Sequence, residues 1–336
     1  MLMKRRTLIS ASLGLGALGV LAWSRREAAP AATAALPRHE GSARAFGTTV
    51  HLTVLHPDEA VARTAIDAAL AEVKAVDALM SLRQDGSQLA RLNRNGVFDS
   101  PDARFVAVLQ AGQELARMTG GAFDLTVQPL WNAFEAAHEA GGLPDAATIA
   151  AARAKVGWQR LQVSPERVTL AEAGMGITVN GLAQGYAADR ARAVLLQHGI
   201  AHALLDTGEF ATIGAKDEGR PWMLGVRDPR DAEAVAARLA MDGRALSTSG
   251  DYETFFTPDF VHHHIFDPAA GDSPTQLASV TVLAPTGLQA DGLSTAFMVM
   301  GAERSLAMAE RLDGVAALLI AKDGRRWTSR GFPTAA

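Results

Sequence analysis

The sequence of 336 residues contains no cysteine. A chain without cysteine forms no disulfide, no thiolate zinc site and no iron–sulfur cluster, and it has no cysteine nucleophile. Charged residues are also few, at 20% of the chain, and their signs nearly balance, with 32 basic and 36 acidic residues. No stretch rich in lysine and arginine dominates, so nucleic acid is not expected as a partner.

Apolar residues are abundant, at 48% of the chain. This composition excludes wholesale disorder and is sufficient for a substantial hydrophobic core. The length allows one large domain or two domains of roughly 100–200 residues each. The predicted strands and helices do not alternate regularly, which favours an α+β fold over a doubly wound parallel sheet.

The N-terminal segment has the order of a secretory signal. Basic residues at positions 4–6 precede an apolar stretch at residues 8–23, and the A-T-A sequence at residues 32–34 resembles a cleavage site. The adjacent arginines resemble a twin-arginine export signal. Residues 1–34 are therefore expected to direct export to the periplasm, and an uncleaved signal would anchor the protein in the membrane. Residues 35–43 are expected to be a linker.

Residues 44–330 are expected to form one folded domain. Apolar residues spaced three to four positions apart predict helices, and alternation of apolar and polar residues predicts strands. Residues 132–144 are interpreted as a mobile loop. The predicted helices comprise residues 57–80, 102–118, 144–156, 182–197, 291–300 and 302–312. The predicted strands comprise residues 44–56, 160–163, 168–170, 177–179, 203–206, 223–226, 280–283 and 315–320.

Two glycine-bearing segments are suited to ligand binding. In residues 119–130, Gly120 and Gly121 would allow the backbone to approach a ligand closely, although a helix end followed by a strand is the simpler interpretation. In residues 180–189, a turn with glycine precedes a helix, where free amide groups attract anions. This turn lacks the spacing of a dinucleotide-binding motif and a P-loop lysine. Asp189 could simply be a favourable charge in the first turns of the helix.

A third segment combines residues 247–252 with three consecutive histidines, His262, His263 and His264. Side chains alternate along an extended chain, so three consecutive histidines do not face one metal site. A single inward histidine near Asp267 is favoured instead, as a base or a phosphate contact. A serine nucleophile with histidine and aspartate is conceivable, but the G-x-S-x-G elbow is missing.

A fourth segment places Asp291 and Thr295 four residues apart. On a helix such residues share a face. A carboxylate and a hydroxyl are oxygen ligands, which suit Mg²⁺ and not zinc. The alternative interpretation is an aspartate that caps a helix N-terminus, with a threonine that faces the core.

In this order the segments resemble the ApbE family, the FAD:protein FMN transferases. The family pattern has Gly-Thr near its start, then T-G-G-A-F-D-x-T, G-I-A-K-G-Y-A-x-D, T-S-G-x-Y-E, H-H-I-x-D-P-x-T-G and A-D-x-x-x-T-A. The resemblance covers roughly residues 46–320, nearly the whole chain after the export signal. The matching segments are residues 47–48, 119–126, 181–189, 248–253, 263–271 and 290–296.

The resemblance implies a Mg²⁺-dependent transfer. A threonine or serine hydroxyl of a target protein would attack the pyrophosphate of FAD, FMN would remain on the target as a phosphoester, and AMP would depart. The implied fold is a single α+β domain that resembles the T-fold, with FAD in a central cleft. The implied target carries an Asp…Ser/Thr motif, and a membrane electron-transfer subunit is one candidate.

The resemblance also implies roles for individual residues. His264 matches the histidine near the pyrophosphate and the acceptor hydroxyl, where it would act as general base or charge stabiliser. The implied metal ligands are Asp291, Ser294 and Thr295, together with a backbone oxygen of Gly181. The residues at positions of FAD contacts are Phe46, Arg83, Ala122, Phe123, Asp124, Thr178, Gln184, His264 and Ile265.

Four positions depart from the family pattern. Gln184 stands where lysine or glutamate is usual, Thr178 where aspartate is usual, and Ala270 where threonine is usual. Arg83 lies at or near the position of a tyrosine, so an arginine would have to replace an aromatic stacking surface. The segment 180–186 is similar to that of the NosX subgroup, exported relatives that serve the maturation of nitrous-oxide reductase.

Two other functions could use the same residues. With water in place of the acceptor hydroxyl, the protein would be a metal-dependent FAD pyrophosphatase that yields FMN and AMP. A non-catalytic protein that stores FAD is the third alternative, but storage would not require the metal ligands Asp291 and Thr295. FMN attached covalently to a target protein would distinguish the transferase from both alternatives.

Overall fold

The computed structural model describes residues 35–216 and 219–333. The export signal predicted for residues 1–34 lies outside the described residues. Within the described parts of the chain, no helix combines the length and the apolar composition needed to cross a membrane.

The largest element of the fold is an antiparallel sheet of eight strands. The strands of the described residues are β1 Arg38–Ala45, β2 Thr48–Leu55, β3 Val97–Asp99, β4 Leu161–Val163, β5 Arg167–Leu170, β6 Ala203–Asp206, β7 Phe210–Ile213, β8 Met223–Arg227, β9 Val235–Ala240, β10 Ala245–Gly250, β11 Leu277–Ala284, β12 Ala316–Ala321 and β13 Arg326–Thr328. Across the large sheet the strands are ordered β1-β2-β6-β7-β10-β11-β12-β13, while β3-β5-β4 form a second sheet and β8-β9 a third.

The longer helices follow from local sequence signals, as the helix α1, Glu59–Met80, illustrates. Asp58 accepts hydrogen bonds from the N–H groups of Ala60 and Val61 at 2.8 and 3.1 Å, an N-cap that satisfies otherwise unpaired donors. Buried residues such as Ile66 and Val73 then recur at helical spacing. The helices of the described residues are α1 Glu59–Met80, α2 Gln88–Asn95, α3 Ala103–Met118, α4 Gln128–Glu139, α5 Ala146–Arg153, α6 Ala183–Gln197 and α7 Gly287–Ala309.

The large sheet is covered on both faces. Helices α1, α6 and α7 pack on one face, and the main hydrophobic core lies between them and the strands. On the opposite face, Trp222 and Leu239 near the β8–β9 hairpin pack against Leu283 and Leu318 of the sheet. A smaller apolar cluster joins α4, α5 and the loop after β10. Helices that lie to one side of an antiparallel sheet confirm the predicted α+β class.

The helix α7 is broken at Gly301, whose φ of 75° and ψ of 174° are not helical. Two helices divided at this point are what the sequence predicts, and the break confirms that prediction. The second half has a cap from outside the helix, because the side-chain oxygen of Gln276 accepts a hydrogen bond from the N–H of Ala302 at 2.8 Å. The first half begins earlier than predicted, after the N-cap Thr286.

The linker predicted at residues 35–43 is wrong, because most of this segment belongs to β1. β1 pairs with β2 in continuous register, from Arg38 opposite Leu55 to Ala45 opposite Thr48. β1 is an edge strand that is exposed at alternate residues. Edge strands tolerate charged and small residues, so the composition of β1 resembles that of a linker although its backbone is fully paired to β2.

The mobile loop predicted at residues 132–144 is also wrong, because most of it belongs to α4. Pro129 lies in the first turn of this helix, where proline is tolerated. Leu130 and Phe134, four residues apart, are buried in the smaller apolar cluster. The apolar face of α4 is short, so its periodicity alone does not identify a helix.

The strand predicted at residues 177–179 does not form. The N–H of Ile177 donates to the side-chain oxygen of Asn93, and the N–H of Thr178 donates to the carbonyl of Leu125, both at 2.8 Å. The backbone of this apolar run is thus satisfied by a side chain and a turn instead of a neighbouring strand. A short apolar run indicates burial without specifying which partner its backbone finds.

Candidate active site

The start of α6 and the first half of α7 run antiparallel and touch along a regular row. Residues four positions apart lie on one face of a helix, and Gly181, two residues before α6, extends the α6 side of the row, so each segment presents three residues to the other. These six residues are termed the α6–α7 contact row. The facing pairs are Gly181 with Thr295, Gly185 with Asp291, and Asp189 with Gly287.

The closest approach in the contact row is between Gly185 and Gly287. A Cβ atom placed on Gly185 would lie 2.1 Å from the carbonyl oxygen of Gly287 and 2.7 Å from the Cβ of Asp291. Only glycine leaves room for two backbones at this separation. The N–H of Gly185 donates to Oδ2 of Asp291 at 3.0 Å, so the close approach also orients the predicted metal-binding carboxylate.

Asp189 fastens the other end of the contact row. Its Oδ1 accepts a hydrogen bond from the N–H of Gly287 at 2.7 Å, and its Oδ2 accepts one from the N–H of Leu288 at 2.9 Å. The free N–H groups at a helix N-terminus favour a negative charge. Asp189 therefore caps α7 although it belongs to α6, a role beyond that of a favourable charge on its own helix.

Asp291 is buried in the second turn of α7. Thr286 is the N-cap of this helix, so the alternative interpretation of Asp291 as a capping residue is wrong. Burial raises the pKa of Asp291 to about 7, the N–H of Gly185 opposes this rise, and the negative charge of Asp189 adds to it. Among the described residues, no lysine or arginine contributes to the pKa of this carboxylate.

Hydroxyl groups from β10 complete the Thr295 end of the contact row. Oγ of Ser249 lies 2.8 Å from Oγ of Ser294 and 3.3 Å from Oγ1 of Thr295. Oγ of Ser247 lies 3.1 Å from Oγ of Ser294. The sequence analysis groups these two serines with the histidines and does not place them at the predicted metal site, although residues two apart on a strand point to the same face.

Ser294, a predicted metal ligand, is occupied by protein partners. Its hydroxyl donates to the carbonyl of Asp291 at 2.9 Å, because a carbonyl oxygen can only accept. The hydroxyls of Ser247 and Ser249 must therefore donate to Ser294. A serine hydroxyl has one donor and two acceptor sites, and these three bonds use all of them. Ser294 thus supports the contact row from inside the protein.

The remaining predicted metal ligands fit a hard cation. The carboxylate of Asp291, the hydroxyl of Thr295 and the backbone of Gly181 all belong to the contact row, and a Cβ atom on Gly181 would lie 2.7 Å from Oγ1 of Thr295. This donor set contains only oxygen, which Mg²⁺ prefers. Within the described residues, no three His, Asp or Glu side chains could hold a metal by themselves. A cation here would therefore share oxygen atoms with water or a phosphate.

The turn after α3 is held by its own side chains. The N–H of Phe123 donates to Oγ1 of Thr119 at 3.1 Å. Oδ1 of Asp124 accepts from the N–H and the hydroxyl of Thr126, at 2.8 and 2.6 Å, and Oδ2 accepts from the N–H of Trp158 at 3.0 Å. Both oxygens of Asp124 are thus bonded within the protein. These bonds fix the shape of the turn.

Phe123 connects this turn to the contact row. Its Cε2 atom lies 3.4 Å from the position of a Cβ atom on Gly181, and its ring is buried while Ala122 beside it is partly exposed. The predicted helix end is present, but the strand predicted after it is wrong, because Leu125–Val127 forms a 3-10 helix. The N–H of Thr178 bonds the first carbonyl of that helix. Phe123, a predicted FAD contact, thus lies next to Gly181 of the predicted metal site.

Gln184, another predicted FAD contact, holds the turn between β6 and β7. Its Nε2 donates to the carbonyl of Thr207 at 2.9 Å, and the hydroxyl of Thr207 donates to the carbonyl of Gln184 at 3.0 Å. Gly208 has a φ of 98°, and a Cβ atom there would lie 2.1 Å from Nε2 of Gln184. The side chain of Gln184 therefore packs directly on the glycine of this turn.

Phe46 and Arg83 meet at the turn between β1 and β2. Phe46 has a φ of 51° and Gly47 a φ of 72°, and two positive values are characteristic of two-residue hairpin turns. A positive φ is strained for a bulky residue such as phenylalanine. The guanidinium of Arg83 covers Gly47, with Nη1 at 2.2 Å from the position of a Cβ atom. These two predicted FAD contacts are therefore neighbours.

The three consecutive histidines diverge, as the alternation of side chains predicts. Nδ1 of His264 lies 3.0 Å from the carbonyl oxygen of Thr254. Because a carbonyl only accepts hydrogen bonds, the neutral ring has its proton on Nδ1 and its lone pair on Nε2, the form that acts as a base. The acidic partner of the histidines is not the predicted Asp267. Ile265, a predicted FAD contact, is buried in the main core. The observed partners are Asp272 for His262, the carbonyl of Pro274 for His263 and the carbonyl of Thr254 for His264.

Replacement of His263 by glutamine is expected to make the stability less sensitive to acid. Burial lowers the pKa of His263 to about 3, so between roughly pH 6.5 and pH 3 only the unfolded chain binds a proton there. As the pH is lowered through this window, the free energy of unfolding of the wild type therefore decreases, by up to about 1.4 kcal/mol per pH unit from this group. Urea unfolding of both proteins across the window measures the two slopes. Equal slopes would contradict a buried, neutral His263.

Comparison with known proteins identifies relatives that match most of the chain. Residues 46–319 match the model of the ApbE family. The FAD:protein FMN transferase of Klebsiella pneumoniae (strain 342) is 33% identical, and the match covers 91% of this chain and 91% of that protein. The crystal structure of the ApbE protein from Thermotoga maritima has a TM-score of 0.77 at 29% identity, covering 88% of this chain and 97% of that chain. The flavin transferase ApbE from Vibrio cholerae has a TM-score of 0.76 at 28% identity, covering 88% and 98%.

Proposed function

The chain belongs to the ApbE family, and we propose that it transfers FMN from FAD to a threonine or serine hydroxyl of a target protein in a Mg²⁺-dependent reaction that releases AMP. Curated relatives that match most of the chain carry the name FAD:protein FMN transferase. The observation that carries the proposal is the α6–α7 contact row. It joins Asp291, Thr295 and Gly181, the residues to which the family resemblance assigns the metal.

In the proposed reaction, the acceptor oxygen forms a bond to the phosphorus of the FMN half of FAD. The bond from that phosphorus to the bridging oxygen breaks, and AMP leaves with this oxygen. Nε2 of His264 takes the proton of the acceptor hydroxyl. The hydrogen bond from Nδ1 to the carbonyl of Thr254, 3.0 Å long, supports this role because it holds the basic tautomer of the ring.

The contact row would hold the metal and keep its ligands in place. Asp291, Thr295 and the carbonyl of Gly181 are the proposed ligands, and bound Mg²⁺ would supply positive charge to the pyrophosphate. The N–H of Gly185 orients the carboxylate of Asp291. Ser294, which uses its hydroxyl on protein partners, is proposed as a support for the contact row instead of a ligand.

We also propose that the protein acts after export. The signal-like order of residues 1–34 supports a periplasmic location, with a membrane anchor if the signal is retained. The acceptor would then be an exported or membrane-bound protein with an Asp…Ser/Thr motif. Fractionation of Gram-negative cells that express the full chain tests the location. Protein confined to the cytoplasm would refute it.

Mass spectrometry of an acceptor protein tests the transfer directly. The full chain is incubated with FAD, Mg²⁺ and an acceptor that carries the motif, and a serine-to-alanine or threonine-to-alanine acceptor is the control. The expected result is a gain of one FMN moiety on the intact motif, which EDTA prevents. Free FMN and AMP with an unmodified acceptor would favour the pyrophosphatase. Unchanged FAD would favour a protein that only binds the flavin.

Replacement of His264 by alanine is expected to slow FMN transfer by about a hundredfold or more, the usual contribution of a general base. FAD binding should change much less, because the proton is transferred only during the reaction. Single-turnover rates and FAD titration by fluorescence measure the two effects. His198→Ala, at an exposed position after α6, is the control. Equal losses in rate and affinity would make His264 a ligand contact and not a base.

A further inference from the structure

The histidine His264 lies at the base of a short hairpin, residues 254–264. The N–H of His264 donates to the carbonyl of Thr254 at 3.0 Å, and Phe255 pairs with His263 across the hairpin. A two-stranded hairpin is marginally stable by itself in water. The position of His264 therefore depends on the contacts that fix this hairpin to the rest of the protein.

Two cations hold the tip of the hairpin at Phe260. Nζ of Lys322, just after β12, donates a hydrogen bond to the carbonyl of Phe260. The guanidinium of Arg230, in the loop between β8 and β9, lies 4.8 Å from the centre of the Phe260 ring, a cation–π contact. Phe260 has a φ of 60°. Such a strained conformation persists only where the surroundings enforce it.

The buried carboxylate of Asp251 joins these two cations. Its two oxygens accept hydrogen bonds from the two terminal nitrogens of Arg230, at 2.7 Å each, and Oδ2 lies 3.4 Å from Nζ of Lys322. The side chain of Asp251 is 0% exposed. Its N–H donates to the carbonyl of Ala278 on β11 at 3.0 Å, so the carboxylate projects from a fixed backbone.

We propose that Asp251 is a positioning residue for His264. Its negative charge keeps Arg230 and Lys322 together against Phe260, and these two cations hold the tip of the hairpin that carries the histidine. Without the carboxylate, two like charges would remain side by side in a partly buried site and would separate. The proposal rests on the proposed function of His264, but whether Asp251 keeps the hairpin in place can be measured without an activity assay.

Hydrogen exchange of the full chain tests the hold on the hairpin. In Asp251→Asn, amides of residues 254–264 are expected to exchange at least about tenfold faster than in the wild type, with the strands of the large sheet unchanged. Lys322→Met leaves the Asp251–Arg230 pair intact and is the second test variant, which still tests the proposal if Asp251→Asn does not fold. The same local effect is expected in Lys322→Met. The matched control is Asp242→Asn, which breaks another aspartate–arginine pair, with Arg244. Unchanged exchange of the hairpin in both test variants would overturn the proposal.

A double-mutant cycle tests whether Asp251 acts through His264. Asp251→Asn is expected to slow FMN transfer about tenfold with the KM for FAD unchanged, and to have no effect in a chain that already carries His264→Ala. The same slowing in both backgrounds would overturn the positioning role. If the wild type transfers no FMN, the proposed function fails, whereas the exchange result still decides whether Asp251 holds the hairpin.

Discussion

Replacement of Asp291 by asparagine is expected to reduce FMN transfer by more than about a hundredfold. Loss of a residue that merely supports a metal ligand costs about 10–100-fold in metal affinity or activity, and Asp291 is the only carboxylate among the proposed ligands. The amide keeps the size of the side chain and can still accept the hydrogen bond from Gly185. Transfer rates over a range of Mg²⁺ concentrations measure the effect.

Thermal unfolding separates the proposed metal role of Asp291 from a structural one. Without metal, Asp291→Asn is expected to unfold at the same temperature as the wild type or higher, because the variant no longer buries a carboxylate without a basic partner. Mg²⁺ is expected to stabilise the wild type and not the variant. Asp67→Asn, on the exposed face of α1, should behave like the wild type. Full activity of Asp291→Asn would refute the metal assignment.

Replacement of Gly185 by alanine is expected to have the largest effect on stability. In an ordinary helix the change from glycine to alanine is favourable by about 1 kcal/mol. Here the added methyl group would overlap the carbonyl of Gly287, at 2.1 Å, and approach the Cβ of Asp291 at 2.7 Å. The two helices must move apart, which is expected to lower the free energy of unfolding by about 2–3 kcal/mol.

The loss of stability in Gly185→Ala should be accompanied by loss of FMN transfer, because separation of the helices breaks the bond from the N–H of Gly185 to Asp291. Urea unfolding and the single-turnover rate measure the two effects. Gly86→Ala is the control, because a Cβ atom there meets no atom within 4 Å and its φ is not positive. A Gly185→Ala protein as stable and as active as the wild type would show that the contact row tolerates a wider separation.

The family and the proposed site residues follow from the order of short motifs. The resemblance covers roughly residues 46–320, and the family match covers residues 46–319. The spacing of Asp291 and Thr295 places them on one helix face wherever that helix packs. The motifs do not indicate how each side chain is used: Asp124 and Ser294 bond to protein partners, and Gln184 holds a turn.

Sequence alone determined the features that depend on neighbouring residues. The helix α1 follows from the cap at Asp58 and a regular series of apolar residues, and the break in α7 follows from Gly301. The divergence of the three histidines follows from the alternation of side chains along an extended chain. In each case the physical cause, a cap, a backbone conformation or a period, acts over a few residues and can be read directly from the sequence.

Tertiary structure alone decided which distant segments meet. The bond from Gly287 to Asp189 joins residues 98 positions apart, and that from Gly185 to Asp291 joins residues 106 positions apart. The register of such contacts depends on how the sheet and all the helices share one core, and no local pattern specifies it. For the same reason β1 is a strand because β2 pairs with it, and the contact row exists because α6 and α7 pack on the same face of the large sheet.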